Sequence, residues 1–169
     1  MKRNLLILGL LISLTLQAQK TGVKLYGYSQ GISKGIRKTT VNENGETKTE
    51  KKSHSKSFLI YLEIPSGMKL DITELWINGE KYRFKISTEK TPVEMKTGLH
   101  MPGQKERVLI SKTENTINQV LPLEKITTTE KTTRNIVQKK ALVVFYTVDG
   151  RSGYRSLEKL EELPDVVHE

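Results

Sequence analysis

The stretch MKLDITELWINGEKYRFKIS, residues 68–87, decides the fold because it predicts a β-hairpin closed by Asn78 and Gly79. A two-residue type I′ turn needs positive φ at both turn positions, and Asn followed by Gly adopts this conformation most readily. The strand residues on either side alternate between apolar and polar, as a half-buried hairpin requires. The pairs that the turn would set opposite each other are Ile77 and Glu80, Trp76 and Lys81, and Leu75 and Tyr82.

Apolar and basic residues are sorted onto opposite faces of this hairpin. They alternate strictly along its second strand, whereas along its first strand the apolar alternation changes phase after Ile72. A one-residue bulge near Thr73 and Glu74 would restore the register between the strands. It would set Ile72 opposite Phe84 and Leu70 opposite Ile86, and the predicted core face would consist of Leu70, Ile72, Leu75, Ile77, Tyr82, Phe84 and Ile86.

The other face of the hairpin carries the single tryptophan, Trp76, beside Lys81, Arg83 and Lys85. An exposed indole next to such cations makes cation–π contacts worth about 0.5–1 kcal/mol each. This Trp/basic face is therefore a candidate binding surface. Because large aromatic side chains are usually buried, the alternative is that a second sheet or a loop covers Trp76 and makes it part of the core.

Residues 1–18 have the composition of a secretory signal peptide. Lys2 and Arg3 form a positive N-terminal region, residues 5–16 form an apolar run, and Ala18 offers a small residue at the cleavage edge. This run is shorter than the roughly 17–25 residues that a membrane-spanning helix needs. We therefore expect an exported protein, periplasmic or secreted, that is not an integral membrane protein after cleavage. An uncleaved anchor is the alternative.

Composition limits the partners and cofactors that such an exported chain could use. The sequence has no cysteine, which excludes disulfides, thiolate metal sites and lipid attachment at a processed cysteine. Without Lys2 and Arg3, 26 Lys and Arg residues stand against 19 acidic ones, a net charge of +7. Outside the cytosol we expect no nucleic-acid partner, and the charge favours an envelope component, either a protein or an acidic glycan or lipid. Simple solubility is the alternative role of this charge.

Residues 33–56 form the most basic segment of the chain and carry a second hairpin signal at Asn44 and Gly45. The flanking segments have β propensity but few apolar residues, so they predict a polar two-stranded arm or a loop of marginal order. A site for an acidic partner and a merely solvated hairpin are both compatible with this pattern. The candidate binding residues in the arm are Arg37, Lys38, Lys51 and Lys52.

Two further segments have the pattern of buried strands, SFLIYLEI at residues 57–64 and ALVVFYTV within residues 137–148. Both carry apolar residues on both faces, which is typical of central strands. At the C-terminus, Leu157, Leu160 and Leu163 recur every three residues and predict a short helix ended by Pro164, with a continuing strand as the alternative. Weaker strand signals lie at residues 21–30, 91–95, 107–113, 116–123 and 153–157, and the last of these follows a turn predicted to begin at Asp149 and Gly150. Residues 124–135 predict an exposed strand or a second polar hairpin.

Together these elements predict one domain over residues 19–169 that belongs to the all-β class. Many short strands, frequent turn signals and almost no helix are typical of an antiparallel β-sandwich. The architecture would be immunoglobulin-like in outline only, because no cysteine pair accompanies the tryptophan. The polar basic hairpin at residues 33–56 and a short C-terminal helix would complete the domain.

The sequence contains no motif that assembles a catalytic or metal site. His54, His100 and His168 lack the spacing of a metalloprotease, and no nucleophile elbow, P-loop or dinucleotide-binding glycine motif is present. No catalytic residue, metal ligand or cofactor is therefore predicted. We expect a non-enzymatic binding or structural domain of the bacterial cell envelope. The alternative is a small secreted hydrolase or glycan-active enzyme whose site forms only in the folded chain.

Overall fold

The computed structural model of the chain describes residues 22–34, 39–41, 44, 47–49, 54–95, 107–127 and 135–168. These residues form mostly strands and one short helix, so the predicted β-rich class is confirmed. The predicted signal peptide, residues 1–18, lies outside them. The strands are β1 (Lys24–Lys34), β2 (Thr39–Val41), β3 (Thr47–Thr49), β4 (His54–Ile64), β5 (Leu70–Ile77), β6 (Glu80–Glu89), β7 (Val93–Glu94), β8 (Val108–Ile110), β9 (Thr116–Lys125), β10 (Leu142–Val148), β11 (Arg151–Leu157) and β12 (Glu161–His168), and the helix is α1 (Asn135–Lys139).

Eight of these strands form one sheet in the order β11-β10-β5-β6-β9-β4-β1-β12. Neighbouring strands run antiparallel, except that β1 and β12 run parallel. Two separate ribbons, β2–β3 and β7–β8, complete the described strands. The predicted β-sandwich is not confirmed, because its two strongest strands, β4 and β10, lie inside the same sheet.

The sheet curls into a half-barrel, and its connectivity explains why. β11 and β12 stand at opposite ends of the strand order, which in a flat eight-stranded sheet would separate them by about 34 Å at about 4.8 Å per strand. Only residues 158–160 join them, a connection that spans at most about 14 Å when fully extended. The two ends must therefore meet. At this seam the Arg155 side chain donates a hydrogen bond from Nε to the Val23 carbonyl oxygen at 2.8 Å.

The inner side of the curl holds the main hydrophobic core. Gly27 of β1 allows the seam to close tightly, because a Cβ at this position would lie 2.7–2.9 Å from methyl groups of Leu142, Leu157 and Leu160. Side chains thus fill this side of the sheet up to the seam. The buried residues of this inner core are Val23, Ile60, Leu62, Ile64, Leu75, Ile77, Val120, Leu142, Val144 and Tyr146.

The turn at Asn78 and Gly79 forms as predicted, with φ of 50° and 79°. The three predicted pairs next to it, from Ile77–Glu80 to Leu75–Tyr82, are confirmed. The predicted continuation is wrong, because β5 and β6 separate after these pairs. The bulge at Thr73 exists, but it lies against β10. Phe84 then pairs with Pro122 and Ile86 with Val120, and Ile86 is 42% exposed although it was predicted to be core.

Three other predicted turns and strands are confirmed, and the start of one strand is corrected. Asp149 and Gly150 close the β10–β11 hairpin, with positive φ at both residues. The β2–β3 ribbon forms inside the predicted arm, and β4 is a central strand. The strand predicted from residue 137 begins at Leu142, because residues 135–139 form α1.

The predicted C-terminal helix is wrong, because Glu161–His168 is the strand β12. Leu157 and Leu160 both pack on the inner core, on either side of the bend between β11 and β12, and Leu163 is buried on the outer side of the sheet. Their three-residue spacing therefore reflects a bent strand. Pro164 is tolerated because β12 is an edge strand, where its missing N–H leaves no unpaired ladder position.

Two elements cover the outer side of the sheet. The β7–β8 ribbon packs over β1, β4 and β9, where it encloses Tyr28, Tyr61 and Ile117. Helix α1 packs over β5 and β10 through Val137. Within the described ranges, no helix is long and apolar enough to cross a membrane.

Candidate functional site on the outer face

Trp76 lies under helix α1. Its side chain is only 6% exposed and packs with Val137 and Val143, and its indole Nε1 donates a hydrogen bond to Glu74 Oε2 at 2.8 Å. The prediction that Trp76 presents its ring to a partner is therefore wrong. The sequence left open that a second sheet or a loop would cover it, and the actual cover is a five-residue helix.

The ammonium group of Lys81 contacts two side chains of the neighbouring strand β5. Its Nζ lies 3.4 Å from Glu74 Oε1 and 5.7 Å from the centre of the Trp76 ring. The expected cation–π contact thus forms, but it joins β5 to β6 within the protein and is not offered to a partner. Glu74 holds both the indole N–H and the ammonium group, so this part of the predicted basic face is neutralised.

Arg83 and Lys85 remain at the surface, on strand β6. Arg83 forms an ion pair with Glu124 at 2.9 Å, in which both side chains are about two-thirds exposed. Among the residues that the structure describes, Lys85 has no carboxylate within ion-pair distance. Of the three predicted cations, Lys85 is therefore the one that is available to an external partner.

Among the residues that the structure describes, a band along β6 and the C-terminal part of β9 lies uncovered between helix α1 and the β7–β8 ribbon. Leu121 lies directly across from Lys85 and is 42% exposed, and Leu123, in the bulge of β9, is 58% exposed. We call this band the outer strip. It consists of Arg83, Lys85, Ser87, Leu121, Leu123 and Glu124.

A groove of about 460 Å³ opens where the outer strip meets the β7–β8 ribbon, and we call it the ribbon groove. Gln119 of β9 stands between the two surfaces, since it pairs with Ser87 on one side and with Tyr61 on the other. The groove is lined by Gln30, Leu59, Tyr61, Glu89, Lys90, Pro92, Val93, Glu94, Met95 and Gln119.

Glu63 carries the one fully buried carboxylate among the described residues, 3% exposed. It accepts hydrogen bonds from the Tyr26 hydroxyl at 2.6 Å, from Asn115 Nδ2 at 2.6 Å and from Lys24 Nζ at 3.2 Å. Burial raises the pKa of this carboxyl, but these hydrogen bonds outweigh burial and hold the pKa below its ordinary value. A general acid needs the opposite shift, so Glu63 is a structural anion.

The pKa of Tyr26 is raised to about 12, by burial first and then by the Glu63 carboxylate that accepts a hydrogen bond from its hydroxyl. The loop that carries Asn115 is tied to this cluster as well, because the Thr113 hydroxyl approaches Glu63 Oε1 at 3.4 Å. The cluster therefore joins β1, β4 and the loop before β9.

Several candidate residues lie outside the described residues. These are the four basic residues of the predicted arm, Arg37, Lys38, Lys51 and Lys52, and also His100. His54 and His168 lie in β4 and β12, and only their backbone is described. Within the described ranges, no group of three acidic or histidine side chains could hold a metal ion.

Sequence reasoning missed the ribbon groove. The one available signal was β4, where Leu59 and Tyr61 make the second face apolar and so require a cover. The cover comes from β7 and β8, which lie inside the predicted strands at residues 91–95 and 107–113. What the local pattern did not predict is that these two strands pair with each other and pack over β4. No family model, curated protein or solved structure matches this chain.

Proposed function

We propose that the chain is an exported, non-enzymatic binding domain of the bacterial cell envelope that holds a protein partner on the outer strip. The observation that carries this proposal is the exposure of Leu121 and Leu123 on the outer side of the sheet, between helix α1 and the β7–β8 ribbon. Exposed apolar side chains that adjoin one another and are rimmed by charged residues are typical of a protein-interaction surface. The expectation of export rests on the signal-peptide composition of residues 1–18.

The charges near the outer strip favour a protein over an acidic glycan or lipid. A polyanion site gains its affinity from unpaired cations, but Lys81 is matched by Glu74 and Arg83 by Glu124. Lys85 alone would give a polyanion little to bind. A protein partner, by contrast, can cover the two leucines and pair one carboxylate with Lys85.

The proposal is tested with the double variant Lys85→Glu/Leu121→Asp, immobilised as the folded mature chain and used to capture partners from envelope extract. Full burial of a leucine contributes about 1.5–3 kcal/mol, so the double variant should lower capture of the parent chain's partner at least tenfold. The matched control is Lys69→Glu/Val108→Asp. It changes an exposed lysine and a half-exposed valine that lie outside the outer strip.

Two outcomes contradict the proposal. One is equal capture of the same partner by the parent chain and by the outer-strip variant. The other is capture that survives protease treatment of the extract and disappears as salt is raised from 0.1 to 1 M, where the Debye length falls from about 10 Å to about 3 Å. The second result would assign the surface to a polyanion.

A further inference from the structure

The ribbon groove has the size and the boundaries of a small-molecule site. Its volume of about 460 Å³ falls within the roughly 300–1,000 Å³ that is typical of ligand pockets. One wall is the outer side of β4 and β9, and the other is β7 with the residues that lead into it. None of the residues that line the groove belongs to the outer strip, and the two surfaces adjoin each other near Gln119.

The polar groups of the groove offer both donors and acceptors. Gln119 is held in place from two sides, since its Oε1 lies 3.4 Å from Ser87 Oγ and its side chain also hydrogen-bonds the Tyr61 hydroxyl. Gln30 is oriented by β12, because its Nε2 donates a hydrogen bond to the Pro164 carbonyl oxygen at 2.9 Å. The groove therefore presents two oriented carboxamides and a phenol without needing to rearrange.

The charges of the groove exclude two classes of ligand. Lys90 is the single cation among the lining residues, so the groove offers no cluster of cations that would hold an anionic ligand. The described residues also bring no three metal-ligating side chains together here, so the lining does not form a metal site. A neutral ligand with many hydroxyl groups is compatible with the lining, because each hydroxyl both donates and accepts a hydrogen bond.

The floor of the groove is apolar. Leu59, Val93 and Met95 line it, and the last two are less than a tenth exposed. A pyranose ring has one apolar C–H side and a rim of hydroxyl groups. This matches a floor of aliphatic carbon surrounded by amides, carboxylates and a phenol. We propose that the ribbon groove binds a neutral saccharide unit, with Gln119, Tyr61 and Glu89 as hydrogen-bonding residues.

This ligand is separate from the protein partner proposed for the outer strip. The mature chain is titrated with three neutral hexasaccharides, made of β-1,4-linked glucose, β-1,4-linked N-acetylglucosamine and α-linked mannose, and with an acidic hyaluronan hexasaccharide. Binding is followed by calorimetry and by amide chemical shifts. We expect at least one neutral sugar to bind with a Kd of 1 mM or better and to shift residues of the ribbon groove. The acidic sugar should bind at least tenfold more weakly.

Two variants and one control locate the site. Gln119→Leu and Tyr61→Phe should each weaken binding at least fivefold, and Tyr61→Phe keeps the buried ring and so preserves the fold. Lys85→Glu, on the outer strip, should leave the sugar affinity unchanged, although it is expected to impair the protein partner. The proposal is overturned if none of the neutral sugars binds at 5 mM, if both groove variants bind as the parent does, or if the acidic sugar binds best. None of these results bears on the outer strip.

Discussion

Replacing Gly27 by alanine tests whether the sheet closes as tightly as the structure shows. The new Cβ would lie 2.7, 2.8 and 2.9 Å from methyl carbons of Leu142, Leu160 and Leu157. Ordinary contacts between carbon atoms are 3.5–4.0 Å, so each methyl would have to retreat by roughly 0.6–1.3 Å. Leu142 is fully buried, and three neighbours must move together.

Overpacking of this kind costs about 1–3 kcal/mol. For a chain of this size, a loss of about 2 kcal/mol lowers Tm by about 4–8 °C. The measurement is thermal and urea unfolding of the mature chain, followed by circular dichroism. Adding Leu160→Ala to the Gly27→Ala chain should recover at least 1 kcal/mol relative to the sum of the two single changes, because it removes one of the three clashing methyl groups and leaves space into which the other two can shift.

Gly31→Ala is the matched control on the same strand. The three atoms nearest to its Cβ would all belong to the Asp165 carboxylate, which is part of an exposed side chain that can turn away. We expect this control to change stability by less than about 0.5 kcal/mol. The tight packing of the seam would be refuted if Gly27→Ala and Gly31→Ala lowered the free energy of unfolding equally. It would also be refuted if the double variant recovered no stability.

Two further predictions concern the outer side of the sheet. The Glu63 pKa is lowered by folding, so its contribution to the free energy of unfolding is present above the ordinary value of 4.5 and is lost as pH falls through the folded pKa. Glu63→Gln should therefore be less stable than the parent at pH 7, and the gap should narrow on acidification; a constant gap would contradict this. Trp76 fluorescence should be blue-shifted and resist acrylamide quenching, and Val137→Asp in α1 should make it quenchable while the parent stays protected. Easy quenching in the parent would show that α1 does not cover the indole.

The turn residues were predictable from the sequence around them, whereas strand pairing and side-chain exposure depended on contacts between residues far apart in the sequence. Asn78-Gly79 and Asp149-Gly150 could be located because positive φ at two successive residues is a requirement of the turn itself. The exposure of Ile86 could not be predicted, because it depends on β6 leaving β5 for β9, whose pairing residues lie about 30 positions further along the chain. The predicted helix at residues 157–163 failed because a three-residue spacing is shared by a helix and by a strand that bends.

The charge of the Trp/basic face also depends on contacts between residues that are distant in the sequence. The contact of Lys81 with Trp76 followed from the hairpin register, and Glu74 belongs to the same twenty residues. The ion pair of Arg83 with Glu124 could not be predicted from the hairpin register, because it forms only where β9 lies beside β6. The pattern of cations therefore overstated the net charge of this face, because Glu74 and Glu124 pair with two of its three cations.

The closure of the sheet also limits where the proposed partner could bind. Because residues 158–160 bring β11 and β12 together, the inner side of the sheet is filled by the core, and the proposed partner would have to bind on the outer side. There, among the described residues, α1 packs over β5 and β10, the β7–β8 ribbon packs over β1, β4 and the start of β9, and β6 and the end of β9 lie open between them. Lys85, Leu121 and Gln119 are accessible for this reason, and the same geometry that buries Trp76 exposes them.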